Sequence, residues 1–216
     1  MKKYKNYQIA LLALFCLAVN LCGKSFAQHF RLPLWLDSFG TILMAYVTGP
    51  FFGAVTGALS NVIYGFIDPV SFAYAITSVC IGLMVGYCAR RGWMKSLFKT
   101  MSLSVMLTAA CVLISTILNQ VFYGGKTGNY WGDGIIEMLE FWGTSGWARA
   151  LLGEFYVDFV DKVFTMGLLF FFIQFYRRIK KYLPKIFVLQ KDTDDEKKTI
   201  DVTKMFALLL IAGYSF

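Results

Sequence analysis

Six apolar runs follow one another through residues 7–176, and few charges interrupt them. A helix that crosses a bilayer needs roughly 20 apolar residues, within a range of about 17–25. The runs extend from Tyr7 to Cys22, Leu34 to Thr48, Pro50 to Ile67, Val70 to Ala89, Met101 to Tyr123 and Gly153 to Tyr176; the second is short. A seventh begins at Met205 and reaches Phe216. Apolar residues make up 57% of the chain and charged residues 16%, against about 25% charged in an ordinary soluble domain. A water-soluble protein of 216 residues cannot hide that much apolar surface. The composition argues against a soluble enzyme, a disordered chain and a nucleic-acid reader. It predicts an all-α membrane protein: a compact bundle of six transmembrane helices over residues 1–184, a charged linker over 185–204, and the start of a further, truncated apolar segment over 205–216.

Charge gives the orientation. The 21 basic and 13 acidic residues leave a net +8, unevenly spread. Lys2, Lys3 and Lys5 precede the first run, and Arg90, Arg91, Lys95 and Lys99 follow the fourth. Nine basic and five acidic residues lie between Arg177 and Lys204. With six spans these three places share one side, at about +11, while the remainder of the chain carries about −3. That is the positive-inside pattern, with the N-terminus in the cytoplasm. The start of the chain also resembles a secretory signal, since Lys2–Lys5 and an apolar run precede Ser25-Phe26-Ala27. Asn20 and Gly23 favour an uncleaved first helix.

Cys16, Cys22, Cys80, Cys88 and Cys111 all lie in apolar stretches without a C-x-x-C pair, and His29 is the one histidine. No zinc site is expected from such a set. The sequence holds no H-E-x-x-H, G-x-S-x-G or P-loop pattern, so neither catalysis nor a bound cofactor is expected.

The loop before the sixth run, Gly124-Gly125-Lys126-Thr127-Gly128-Asn129-Tyr130-Trp131-Gly132-Asp133-Gly134, is rich in glycine, which stops helices and permits tight turns. Ile135 to Phe141 then fit a short amphipathic helix. Its aromatic surroundings suit either an interfacial belt or a lid over an outward-facing pocket.

Gly49, Gly53 and Gly57 stand four apart and so share a helix face. In lipid such a stripe lets another helix come close. It serves either packing within the bundle or docking of a partner. Gly82 and Gly86 repeat the spacing.

Polar groups inside apolar spans cost free energy unless they are paired or face a cavity. Asn20, Asp37, Asn61, Asn119 and Gln120 lie at or near span ends, with Tyr64 and Asp68 close to Asn61. The sixth run carries Glu154, Asp158, Asp161 and Lys162. Glu154, Asp158 and Lys162 share a face, and Asp158 and Lys162 are spaced to pair. This set reads either as a charge cluster that fixes the bundle or as a polar pocket for a small solute near the outer leaflet. Tyr64, Tyr74 and Trp131 are suited to stack on a flat ring.

Several passages resemble the substrate-binding S components of energy-coupling-factor vitamin transporters. They are Leu34-Trp35-Leu36-Asp37-Ser38-Phe39-Gly40-Thr41, Gly49-Pro50-Phe51-Phe52-Gly53-Ala54-Val55-Thr56-Gly57, Asn61-Val62-Ile63-Tyr64-Gly65, Tyr123-Gly124-Gly125-Lys126-Thr127-Gly128 and Val160-Asp161-Lys162. Together they cover about residues 7–184. The resemblance implies a multi-pass subunit of the bacterial cytoplasmic membrane that captures a vitamin or precursor outside. It also implies docking on a coupling transmembrane subunit driven by a pair of ATPases. The expected substrate-binding residues are Asn61, Tyr64, Tyr74, Asn119, Trp131, Glu154, Asp158 and Lys162; the expected docking residues are Gly49, Gly53 and Gly57. One feature differs. Family members often present small residues four apart on the first helix, whereas here Ala10 and Ala13 are three apart and Leu14 and Leu17 follow. That difference and the seventh run leave a second reading, a ligand-sensing membrane domain at the front of a longer signalling protein.

Overall fold

Glycine, proline and short polar stretches break the apolar runs, and the segments between them are helical. The computed structural model describes residues 6–179; among these are seven α-helices and no strand. Helix α1 spans Asn6–His29, α2 Phe39–Thr48, α3 Pro50–Gly65, α4 Ala75–Arg90, α5 Leu97–Phe122, α6 Tyr130–Phe141 and α7 Gly146–Ile179. Short 3-10 turns at Pro69–Phe72 and Trp93–Lys95 lead into α4 and α5. Two helices, α1 and α5, are long and apolar enough to cross a membrane. Lys2, Lys3 and Lys5, the linker 185–204 and the apolar run from Met205 lie outside the described residues.

Several boundaries differ from the sequence expectation, those of α1, α2, α4, α5, α6 and α7 among them. The second run was expected to be helical from Leu34, but α2 begins at Phe39. The reason is a contact made far away in sequence: Asp161 Oδ1 accepts from the backbone N–H of Trp35 at 3.1 Å and of Leu36 at 2.8 Å, holding this stretch out of the helix. Leu36 itself has φ +54°, a conformation uncommon for a branched side chain. The amphipathic helix expected from Ile135 starts at Tyr130, because Asn129 accepts from the N–H groups of Trp131 and Gly132 and caps it. Helix α7 starts seven residues before Gly153 and runs 34 residues.

Helix α2 passes into α3 through a single residue. Gly49 has φ +109° and ψ 179°, a combination open essentially to glycine alone, and Pro50 then opens α3 at a position that needs no N–H donor. The glycine stripes meet inside the fold. A Cβ added at Gly82 would stand 2.3 Å from the Ala54 backbone N, and one at Gly53 would stand 2.4 Å from the Ala45 Cβ. Gly49, Gly53 and Gly57 are all buried against their own chain. The docking surface expected on these three is therefore corrected: their faces are occupied by α2 and α4.

Asn20 ties the first three helices together. Its side-chain amide donates to Thr41 Oγ1 at 3.0 Å and Ser60 Oγ at 2.9 Å, and its carbonyl oxygen accepts from Gly40 N at 2.7 Å. It is 1% exposed. Asn20→Ala takes the partner from the Gly40 N–H and the Thr41 hydroxyl, leaves Ser60 only its bond to Thr56 O, and is expected to cost about 1–3 kcal/mol. A thermal unfolding midpoint in detergent equal to that of the wild type would contradict this role.

An apolar core including Leu12, Ile42, Leu103, Leu107, Met166 and Leu169 lies within, yet large apolar side chains also cover the outside and many polar ones are buried. Outward faces carry Leu11, Leu14, Phe51, Leu59, Leu113, Ile117, Phe171 and Phe175. The interior holds Ser104, Thr108, Ser115 and Thr116 of α5, along with Lys24, Glu154, Asp158, Asp161 and Lys162.

Candidate functional site

Helices α1, α3 and α5 finish where α2, α4 and α7 begin, and these ends enclose a cavity of about 320 Å³. Its walls include Lys24 from α1, Trp35 and Asp37 from the segment before α2, Asp68 and Val70 from the turn before α4, and Tyr74, Thr77, Ser78 and Ile81 at the start of α4. Ser115 of α5 and Asp158 and Lys162 of α7 complete the floor and far wall. Gln28 and Gly128, both exposed, lie at its rim.

The charged face read on α7 is formed as expected. Lys162 Nζ lies 3.5 Å from Asp158 Oδ1 and 2.6 Å from Asp161 Oδ2, and all three residues are buried. The two aspartates differ in their surroundings. Asp161 is fully committed, since it also accepts from Trp35 N, Leu36 N and, at 3.4 Å, from Ser38 Oγ. Asp158 keeps one oxygen, Oδ2, with no hydrogen-bond partner among the described residues. Thr77 Oγ1 on the opposite wall is also without one. Buried polar atoms are nearly always paired; of the four unpaired ones among the described residues, these two line the cavity.

Three more of the expected residues form a chain behind the wall. Tyr74 donates its hydroxyl to the Asn119 carbonyl oxygen, and the Asn119 amide donates to Glu154. This links α4, α5 and α7. Tyr74 also lines the cavity, with its ring stacked on Tyr123 at 6.3 Å. Asn119 and Glu154 support that wall without lining it. Asn61 is likewise one layer back: its amide donates to Ser78 Oγ at 2.6 Å, and Ser78 faces the cavity. Tyr64 is turned toward α1, where its hydroxyl donates to Gln28 Oε1 at 2.5 Å and Lys24 Nζ lies 4.6 Å from its ring centroid.

Trp131 is corrected: it does not line this cavity. Its indole N–H donates to Arg31 O at 2.8 Å, and the residue is half exposed. Asn129 donates to Leu32 O at 3.1 Å. The two bonds fasten the start of α6 to the segment after α1. Asp133 Oδ1 then organises the preceding loop, accepting from Thr127 N at 2.7 Å and Thr127 Oγ1 at 2.9 Å. The glycine-rich stretch is thus an ordered roof beside the cavity mouth, hinged by Gly124, Gly125 and Gly128, all at positive φ.

Lys24 is the main residue that the sequence analysis missed. It is 6% exposed, lines the cavity and donates to Ser71 Oγ at 2.6 Å. A lysine closing an otherwise uncharged apolar helix was the available signal. The hydroxyls of Thr77, Ser78 and Ser115 carried none, because serine and threonine are common throughout such helices.

Comparison of the chain with family models, with curated proteins and with solved structures returns no match.

Proposed function

We propose that this chain is a multi-pass membrane subunit that captures a small, vitamin-like molecule at the outer face, in the manner of an S component. In this reading six helices cross the bacterial cytoplasmic membrane, and the N-terminus lies inside. A coupling transmembrane subunit with its ATPase pair supplies the energy. The observation that carries the proposal is the cavity itself: a chamber of about 320 Å³ whose wall holds two buried, unpaired polar atoms. That size is at the lower end of the range for small-molecule sites, about 300–1,000 Å³.

Three features support the membrane arrangement. Many large apolar side chains face outward although an apolar core lies within, an exposure that water disfavours and a bilayer accommodates. Arg90, Arg91, Lys95, Lys99, Arg177 and Arg178 gather at the end of the bundle away from the cavity. Helix α2 has only 10 residues, about 15 Å of rise against a hydrocarbon core of about 30 Å. The segment before it fills the remaining depth. Irregular backbone is tolerated there only when it is buried in protein or lines a cavity, and Asp161 satisfies the N–H groups of Trp35 and Leu36.

A second reading, the sensing domain of a signalling protein, draws on the outer face of α1, which presents exposed Leu11 and Leu14 rather than small residues. The two are separated by purification from native membranes in mild detergent. The transport reading expects a coupling subunit and two ATPases in the complex, and a small molecule released in native mass spectrometry. A chain that carries a small molecule but never an energising module favours the sensor. A chain with an empty cavity under all conditions removes both.

A further inference from the structure

We propose that the ligand of this cavity is an organic cation: a compact ring bearing a protonated amine or a cationic nitrogen, its charge received by Asp158 and its hydrogen bond by Thr77. The inference rests on the binding reading above and adds the chemical class of the ligand.

Acidic side chains outnumber basic ones around the chamber. Asp37, Asp68 and Asp158 line it, and Glu154 and Asp161 stand directly behind; against these five acids are two bases, Lys24 and Lys162. Both bases are engaged by the chain itself, Lys24 with Ser71 and Lys162 with Asp161 and Asp158. An anionic ligand would find only Lys24, which is held by Ser71 and the Tyr64 ring and shares its part of the wall with Asp37 and Asp68. A cationic ligand would find Asp158 Oδ2, 3% exposed in its residue and unpartnered among the described residues. Thr77 Oγ1, on a residue 7% exposed, offers an acceptor on the opposite wall. Asp158 shares Lys162 with Asp161 and holds it only at 3.5 Å, against 2.6 Å for Asp161, so its free oxygen favours a further positive or hydrogen-bond-donating partner. Trp35 and Tyr74 supply aromatic faces on the same wall set, and such faces attract cations as well as rings. A bare metal ion does not fit: no group of three metal-ligating side chains occurs among the described residues, and the chamber holds far more than one ion.

The test uses the full chain in detergent, washed free of co-purified small molecules. Two matched sets serve as probes: phenethylamine, phenylethanol and phenylacetate; and tryptamine, tryptophol and indole acetate. Each set holds the ring constant and changes the charge from positive to neutral to negative. The amine is expected to bind about tenfold or more tightly than its alcohol, and to raise the thermal midpoint when the carboxylate does not. Thr77→Val removes no bond within the described residues, so it should fold as the wild type while weakening the amine. Asp158→Asn should erase the preference of amine over alcohol. An alcohol or carboxylate that binds as well as the amine overturns the cation and leaves the cavity's binding role standing. So does an amine preference that survives Asp158→Asn. If no probe binds, the proposal also fails; a small molecule released in native mass spectrometry would then show that the binding role itself survives.

Discussion

Asp161→Ala is expected to destabilise this protein by about 3–5 kcal/mol, the cost of breaking a buried ion pair from one side. The carboxylate has four partners: the backbone N–H groups of Trp35 and Leu36, the Ser38 hydroxyl and Lys162 at 2.6 Å. Without it, Lys162 retains only Asp158 at 3.5 Å. The segment before α2 also loses what holds Leu36 at φ +54°. Asp158→Asn, one helical turn away, is expected to cost much less, because Oδ2 has no partner to lose and Lys162 keeps its shorter contact. Thermal unfolding in detergent compares the two. Equal midpoints would mean that the shared lysine, and not the α2 segment, sets the energy. Adding Lys162→Met to the Asp161 variant should recover part of the loss, since the stranded cation is then gone.

Gly82→Ala is the second large effect. The added Cβ would stand 2.3 Å from Ala54 N and 2.5 Å from Gly53 C, both backbone atoms that no rotamer change can move aside. Overpacking of this kind costs typically 1–3 kcal/mol, and here it forces α3 and α4 apart directly below the cavity wall that carries Thr77 and Ser78. Gly134→Ala is the control, because nothing lies within 4 Å of its added carbon. If both variants unfold at the same temperature, the close approach of α3 and α4 does not hold the bundle together.

Much of the fold was legible because the strongest local signals agreed with one another. Apolar runs, bounded by Gly49-Pro50, Asp68-Pro69 and the basic stretch after Ala89, mark where helices lie, although several ends fall four to seven residues from the runs' limits. The failures have distant causes. Nothing near Trp35 announces that its N–H is taken by residue 161. Gly132 looked like a helix breaker, yet it lies inside α6, where only a hydrogen leaves room for Thr127 and Val157. The site followed the same division. Glu154, Asp158 and Lys162 could be placed together because helical spacing is a local rule. Trp131 lies away from this cavity, which the sequence did not reveal, because an aromatic ring says nothing about the direction it faces and its partner, Arg31 O, lies 100 residues earlier. Thr77 became visible only when its hydroxyl proved to lack a partner.

If the cavity takes a solute as proposed, the ordered stretch beside its mouth would separate how long that solute stays from how well it fits. Trp131 and Asn129 hold the start of α6 to Arg31 O and Leu32 O, and neither contact belongs to the inner wall where Thr77, Asp158 and Lys162 meet the chamber. Under the proposed binding function, a change confined to this latch is expected to quicken or slow entry and escape together while the equilibrium between them holds. Residence time and selectivity would then rest on different residues, and each could be adjusted without disturbing the other.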